Sequence, residues 1–372
     1  MTRWRPTVAE VDLGAIAANC RALRGLLRPG TAHLQVVKAN AYGHGDVAVA
    51  SACVDAGVDR LGVALVEEGV RLRDAGIDVP ILVLGETHPS ACKEVVAHRL
   101  TPSISTLDAV EALATAAAAY GERLPVHVVV DTGMHREGAP PEQALDLVRA
   151  VVDEGALELE GLWSHLAAAE EPDHPSIGLQ VRRFQQVCEE VEAAGVEVPV
   201  RHLANSAATI ARPDSHLDMV RTGIACYGLY PADRMRSLVE LRPAMRVTSA
   251  VGLVRRVRAG EGVSYGLTWA PSTETTIATV PIGYADGFAR PLSNRGCVLV
   301  GGKRRRVAGT VTMDTIMVDC GDDEVAPGDE VVLLGRQGAE EITADEIAAA
   351  LGTISYEVVC SVGARVPRVH LS

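Results

Sequence analysis

Short apolar runs alternate with amphipathic segments from the start of the chain to about residue 235, and this alternation limits the fold more than any other feature of the 372 residues. Residues 7–13 read as a strand and 15–27 as a helix. Strand-like runs follow at 35–38, 60–64, 80–84, 101–105, 125–131, 157–164 and 198–203. Helix-like segments trail them at 46–56, 67–75, 89–98, 107–119, 142–153, 175–194 and 205–212, with a last short apolar segment at 219–220. The strand runs are apolar on both faces, as parallel strands covered by helices must be. About eight βα units over roughly 230 residues fit a (β/α)8 TIM barrel better than an open doubly wound sheet. No Gly-x-Gly-x-x-Gly follows the first strand, which weighs against a dinucleotide fold.

The pattern changes after Pro231. From Met245 the chain runs in short β-rich pieces, 247–257, 275–282, 297–300, 316–319 and 330–334, separated by Gly-Asp-Asp, Pro-Gly-Asp and Gly-Gly-Lys turns. One helix is expected at 344–351, where Thr343 and Glu346 form a capping box. The closing Arg-Val-Pro-Arg-Val reads as an edge strand. Two domains follow: a barrel over 1–235 and a mostly β domain over 236–372. With 48% hydrophobic residues and few aromatics, the core must be built of Ala, Val, Leu and Ile.

A net charge of −13 argues against a nucleic-acid surface, and the basic run 303–306 reads as a solvated hairpin end. The first residues lack an apolar signal core, and no apolar run is long enough to span a bilayer. The expectation is a cytoplasmic protein with no membrane partner. Eight scattered cysteines without a CxxC pair read as reduced, mostly buried small hydrophobes, with neither a disulfide frame nor a zinc site.

Barrel enzymes carry their chemistry where the strands end. The second strand runs into Lys38 in LQVVKANAYGHGD, with Tyr42 close behind. The chain has only three lysines, and Lys93 and Lys303 fall on surface elements. A lysine with an apolar approach and a glycine-bearing loop can lose hydration and have its pKa lowered, as a Schiff-base lysine requires; snorkelling out of a strand end is an equally simple reading. DTGMHREG brings Arg136, GLWSH brings His165, RHLANS brings His202, Asn205 and Ser206, and MVRTGIACYG brings Arg221, Gly223 and Ile224. Each alone has an ordinary structural role: a core histidine, an ion pair, a helix N-cap. Collected at five strand ends, they describe one mouth. The Ser206 hydroxyl, the backbone at Gly223–Ile224 and the Tyr42 hydroxyl could together hold a phosphate.

The string VVKANAYGHG and the two-domain layout resemble the alanine racemases, bacterial pyridoxal-phosphate (PLP) enzymes with a TIM barrel followed by a β domain. The resemblance covers the whole chain. It implies that Lys38 bears PLP, that Arg221 faces the pyridine nitrogen with His202 orienting it, and that His165 packs near the ring. It implies phosphate contacts from Tyr42, Ser206, Gly223 and Ile224, and a substrate-carboxylate role for Arg136. GVSYG places Tyr265 at the family's catalytic tyrosine, acting across a head-to-tail homodimer. Tyr284 in IGYADG, with Met313 and Asp314 in TMD, matches the family's entrance and substrate pocket. The implied activity is an isomerase interconverting L- and D-alanine for peptidoglycan by two bases: Lys38 takes the proton from the D-enantiomer and Tyr265 from the L-enantiomer. Without the flanking motif, Tyr265 would read as a strand tyrosine with a solvent-facing hydroxyl.

Two positions depart from the family. Val129 stands where a lysine, often carbamylated, commonly pairs with the site arginine, so Arg136 needs another partner, an anion or water. Ala364 stands where the family has a phosphate-contacting tyrosine just before Arg-Val-Pro-Arg. A racemase of serine or of a broader range of amino acids on the same fold is the alternative. A non-catalytic PLP-binding barrel would lack the β domain with Tyr265, and a basic-amino-acid decarboxylase would carry a carboxylate where Arg221 stands.

Overall fold

The computed structural model describes residues 4–171 and 173–372. The first strand, β1 (Val8–Asp12), stands apart from the next eight. Those eight are β2 (Ala32–Val36), β3 (Arg60–Val63), β4 (Ile81–Glu86), β5 (Thr101–Ile104), β6 (Leu124–Val129), β7 (Leu157–Trp163), β8 (Val200–His202) and β9 (Met219–Thr222), and they close a barrel in chain order. All its pairings are parallel, and β2 shuts it against β9 with Leu34 opposite Arg221 and Gln35 opposite Thr222. Helices return the chain between strands. Helix Pro175–Ala193 buries Ile177, Gln180, Phe184, Val187 and Val191, the three-to-four spacing that puts one stripe on the core. Leu34, Leu61, Ile81, Ile104, Val126, Val128, Leu162 and Val220 are wholly buried, yet so are His33, Gln35, His127 and His202. The barrel unit therefore carries a polar network inside an aliphatic wall.

One expectation is corrected here. The sequence pattern makes residues 7–13 the first barrel strand, but β1 lies in the other sheet. Both of its edges are taken there, antiparallel by β10 (Met245–Ala250) and parallel by β18 (Arg368–Leu371). The apolar segment at 219–220 is the strand that closes the barrel, as β9. A short, fully buried run on either side of a polar Arg-Thr pair carries too little periodicity to be read as a strand from sequence. Close contacts accordingly gather residues 4–13, 42–45 and 244–372 into one compact unit and 14–41 and 46–243 into the other.

The second unit is built on a ten-stranded sheet. Its remaining strands are β11 (Leu253–Val257), β12 (Thr275–Val280), β13 (Cys297–Val300), β14 (Lys303–Val307), β15 (Ile316–Gly321), β16 (Glu330–Gln337) and β17 (Glu340–Ile342). The order is β11-β12-β15-β14-β13-β16-β10-β1-β18, with β17 paired to β16, so β18 is an edge strand as expected. The run 247–257 is two strands, broken at Val251–Gly252. The basic run 303–306 is a strand that leaves a hairpin turn directly, and Lys303, Arg304 and Arg306 are exposed, in keeping with a solvated hairpin end. Gly301 and Gly302, at φ 61° and 71°, make the two-residue turn, and Val300 pairs directly with Lys303. Its charges are met locally: Lys303 by Asp323 at 2.8 Å, Arg304 by Glu340 at 2.9 Å and by Glu346 at 2.6 Å. Thr343 caps helix Ala344–Leu351 by accepting from the Glu346 N–H at 3.0 Å. The reciprocal half of the expected capping box is missing from this end, since the Glu346 carboxylate is engaged by Arg304.

The hairpin turn gives a direct test. Gly302→Ala forces a Cβ into a left-handed position and should lower stability by about 1–2 kcal/mol, with the fold retained. Urea unfolding measures it; an unchanged midpoint would mean that the turn relaxes to another type at no cost.

Candidate active site

The approach to Lys38 is not a simple strand end. β2 stops at Val36, the Val37 N–H still reaches the Gly62 carbonyl at 2.8 Å, and Lys38 comes next, half-buried. Ala39, Asn40, Ala41 and Tyr42 then take φ of 53°, 54°, 52° and 51°, four consecutive non-glycine residues in the left-handed region. Each costs about 1–2 kcal/mol relative to a right-handed turn. Anchors hold the turn: the Ala39 N–H donates to Glu68 Oε1 at 2.6 Å, and Asn40 Oδ1 accepts from the Asp46 N–H at 3.1 Å. The other Glu68 oxygen takes the N–H groups of Ala64 and Leu65 at 2.9 and 3.1 Å. Glu68 was not singled out from sequence, because a glutamate in a surface helix carries no distinguishing signal.

Arg221, on β9, is 3% exposed and is held on several sides. Its NH1 donates to His202 Nδ1 at 2.8 Å. Its NH2 reaches the Ser164 carbonyl at 2.8 Å, His165 Nδ1 at 3.2 Å and the Leu203 carbonyl at 3.3 Å. The guanidinium carbon lies 4.5 Å from the Trp163 ring centre, and Trp163 stacks on His202. Beyond His202 the contacts continue: His202 Nε2 to His127 Nδ1 at 2.7 Å, His127 Nε2 to Glu160 Oε2 at 3.0 Å, and Glu160 Oε1 to Arg60 at 2.7 Å. An arginine can only donate, so His202 Nδ1 must accept, and its Nε2–H donates to His127 Nδ1. His127 then donates from Nε2 to the carboxylate. One tautomer of each histidine satisfies the whole chain. Gly161, opposite His127 in the β6–β7 register, leaves room for it, since a Cβ there would lie 2.4 Å from His127 Nδ1.

The charges follow from this packing. Burial holds both His127 and His202 below the usual imidazole range, with Arg221 adding to the effect, so both are neutral at pH 7. Burial and the Arg136 charge lower Arg221 to about 9, which leaves it a cation at pH 7. Burial raises Glu160, but hydrogen bonds from His127 and Arg60 outweigh it and bring the carboxyl down to about 2. His165 is pushed well below its ordinary value by burial and then by the charges of Arg221, Arg136 and Lys38. Those three cations converge on one neutral imidazole. Arg136 itself is exposed and shares a small hollow with Val129, Trp163, Ser164 and His165.

Ser206 opens helix Ser206–Ala211, but the N-cap is Asn205, whose Oδ1 accepts from the Ala208 N–H at 3.0 Å. Ser206 Oγ instead accepts the Gly223 N–H at 2.7 Å, which leaves the hydroxyl hydrogen to donate elsewhere. The Gly223 carbonyl is tied by the Cys226 N–H at 3.1 Å and by Gln35 Nε2 at 3.3 Å. The barrel unit thus brings together Lys38, Arg136, His165, His202, Ser206, Arg221, Gly223 and Ile224.

The other expected residues lie in the β unit. Tyr42 is buried, with its phenol pushed up by burial, and its ring centre lies 6.2 Å from that of Tyr356. Tyr356 was not singled out from sequence, whereas Ala364 is exposed. Tyr265 begins a short turn and is 75% exposed. Thr310 Oγ1 donates to its carbonyl at 2.8 Å, and Ser264, strained at φ 65°, donates from Oγ to the Thr310 carbonyl at 2.6 Å. The Tyr284 and Ala285 N–H groups bond the carbonyls of Thr312 and Met313 at 3.0 and 3.1 Å. Asp314 pairs with Arg365 at 2.7 Å. Tyr265, Tyr284, Met313 and Asp314 are thus all fastened to the one loop 310–314.

Residues 11–231 match the family model of the alanine racemase N-terminal domain, and residues 244–370 that of the alanine racemase C-terminal domain. The chain belongs to the alanine racemase family. It is 48% identical to the alanine racemase of Symbiobacterium thermophilum, over 98% of this chain and 97% of the relative. The crystal structure of alanine racemase from D-cycloserine-producing Streptomyces lavendulae superposes with a TM-score of 0.95 at 44% identity, covering 100% of this chain and 98% of that one. A histidine racemase from Leuconostoc mesenteroides shares the architecture at 28% identity, with a TM-score of 0.91 over 100% of this chain and 99% of that one. Among the described residues no helix is long and apolar enough to cross a membrane.

What reading the sequence as an alanine racemase did not supply was the support behind Arg221: Trp163, His127, Glu160 and Arg60. His127 and Glu160 sit in strand runs, where a polar residue at an inward position is visible but its partner is not. Glu160→Gln tests this support. The variant keeps an acceptor for His127 but loses the charge pair with Arg60, which should cost about 1–3 kcal/mol near neutral pH. Because the folded carboxyl is held at about 2, below its ordinary 4.5, its contribution is complete above pH 4.5 and is lost as pH falls towards 2. Urea unfolding of both proteins should give a difference that is constant down to about pH 5 and narrows below it; a difference unchanged at about pH 3.5 would rule out the depressed carboxyl.

Proposed function

We propose that this chain is a PLP-dependent alanine racemase, interconverting L- and D-alanine in the cytoplasm and supplying D-alanine for peptidoglycan, and that it works as a homodimer. The observation that carries the reading is the buried Arg221, a cation at pH 7, held by neutral His202 beside Lys38 and Arg136. The donor set suits the cofactor. A lysine can carry it, a guanidinium can donate to a ring nitrogen, and Ser206 has a hydroxyl hydrogen left for a phosphate. When bound, PLP withdraws electrons from the substrate Cα and so acidifies its hydrogen.

The residues then divide the work. Lys38 would hold the cofactor, and its amine would take or return the proton on one face of Cα. Arg221, which can only donate, would face the ring nitrogen and leave it unprotonated, which would moderate the electron withdrawal that the cofactor supplies. His202 positions Arg221, and neutral His165 packs by the ring. Ser206, Gly223 and Ile224 hold the phosphate; by family resemblance Tyr42 joins them, with Tyr356 beside it. Arg136 receives the substrate carboxylate. The Tyr265 hydroxyl of a second copy of the chain serves the opposite face of Cα, with Tyr284, Met313 and Asp314 limiting the entrance. The exposure of Tyr265 supports a role towards a partner.

A broader amino-acid range is the second reading. Val129 lines the hollow beside Arg136, so the neighbour that commonly restrains that arginine is replaced by an apolar side chain. Chiral chromatography of a panel of L-amino acids with the PLP-loaded protein separates the two: fast conversion of alanine alone supports the first, comparable turnover of several amino acids the second, and no racemisation overturns both. Lys38→Ala should abolish activity and the absorbance of lysine-bound PLP. Tyr265→Phe should slow racemisation by about 10²–10⁴-fold, while D-alanine, but not L-alanine, still exchanges its α-hydrogen in deuterium oxide. Exchange of both enantiomers, or of neither, would remove Tyr265 as the base for L-alanine.

A further inference from the structure

Three cysteines from distant parts of the chain meet in the barrel unit, behind the turn that carries Ile224. Cys20 lies on helix Leu13–Arg24, Cys53 on helix Asp46–Asp55 and Cys226 in the turn Ile224–Tyr227. They are 1%, 0% and 0% exposed. Their sulfurs are 3.0 Å apart for Cys20 and Cys226, 3.6 Å for Cys20 and Cys53, and 3.9 Å for Cys53 and Cys226. Among the described residues they form the one group of three or more Cys, His, Asp or Glu donors whose ligand atoms all lie within 4.8 Å of one another, and no fourth such donor completes it. Interaction with Cys226 and Cys53 holds the Cys20 thiol below its ordinary value. We propose that Cys20, Cys53 and Cys226 form a three-thiol binding site for trivalent thiophilic metalloids, of which arsenite is the representative ligand.

Geometry and charge select this class. Sulfurs bonded at about 2.3 Å to one centre lie about 4.0 Å apart if the centre is planar and closer, about 3.5 Å, if it is pyramidal. The observed triangle is of the closer kind. Zinc calls for a fourth ligand, which this group does not offer, and three thiolates on a divalent ion would leave one net negative charge in a fully buried place. Three thiolates on copper(I) would leave two. A trivalent centre leaves none. The reaction balances without redox chemistry: As(OH)3 and three thiols give As(S–Cys)3 and three waters. Three As–O and three S–H bonds break, three As–S and three O–H bonds form, and no proton is released to solvent. Entry requires local opening of the elements that carry the cysteines. Once bound, the centre would tie two helices to the turn that carries Ile224, whose Cys226 N–H holds the Gly223 carbonyl.

The test is prolonged incubation of the PLP-loaded full chain with sodium arsenite and a phosphine reductant, which excludes disulfides, followed by native mass spectrometry and a thermal melt. The expected result is one arsenic per chain with the loss of three hydrogens, and a raised Tm. Cys20→Ala, Cys53→Ala and Cys226→Ala should each weaken binding at least a hundredfold, while Cys188→Ala and Cys360→Ala leave it unchanged. Absence of the adduct, an adduct that has lost only two hydrogens, or full-strength binding in Cys53→Ala overturns the proposal. The wild-type hydrogen count decides even if a variant fails to fold.

Discussion

A guanidinium buried at a barrel mouth must have its hydrogens accepted, and much of the barrel interior is arranged to do so. Arg221 donates to two backbone carbonyls and two imidazoles, and its flat face lies on Trp163. Because it cannot accept, it dictates the tautomer of His202, which dictates that of His127, and the sequence of donors ends on a carboxylate shared with Arg60. A carboxylate placed directly on Arg221 would neutralise it. Placed two imidazoles away, Glu160 orients the chain of hydrogen bonds and leaves the positive charge at the mouth, where an electron-rich ring nitrogen can use it.

The same unit concentrates strain next to Lys38. Four left-handed residues are costly, and they persist because Glu68 and Asn40 fasten the turn to its surroundings. This directs the chain sharply away from the β2 axis directly after the lysine, so Lys38 stands at the strand end without a continuing strand beyond it. Positive charge from Lys38, Arg136 and Arg221 meets at His165, and burial keeps that histidine neutral. The result is a cationic pocket with an uncharged floor, suited to a doubly anionic cofactor and a substrate carboxylate.

The β unit works by different means. Apart from the buried Tyr42, its candidate residues are exposed side chains on turns, and their order comes from one loop. Thr310, Thr312 and Met313 each bond the backbone of a segment carrying Tyr265 or Tyr284. Ser264 is held at positive φ by its own bond to that loop. The turn thus presents its tyrosine outward on a braced backbone.

The sequence by itself determined the barrel, the β domain after it and most of the residues gathered at the barrel mouth. Strand periodicity and strand-end position are local properties, and Lys38, His165 and His202 each sit at or just past the end of a run that can be read without knowing its neighbours; Arg221 is legible through its Arg-Thr-Gly motif and not through its strand. Only the tertiary structure decided which sheet takes Val8–Asp12, that Asn205 and not Ser206 caps its helix, and that residues 303–306 are a strand. It alone decided that His127, Glu160 and Arg60 stand behind Arg221, that Tyr356 packs on Tyr42, and that Cys20, Cys53 and Cys226 meet. These are pairings across 30 to more than 200 positions of sequence. Nothing in a residue's immediate neighbours encodes which distant partner closes a hydrogen bond; that is set by where the packed strands and helices leave the two side chains.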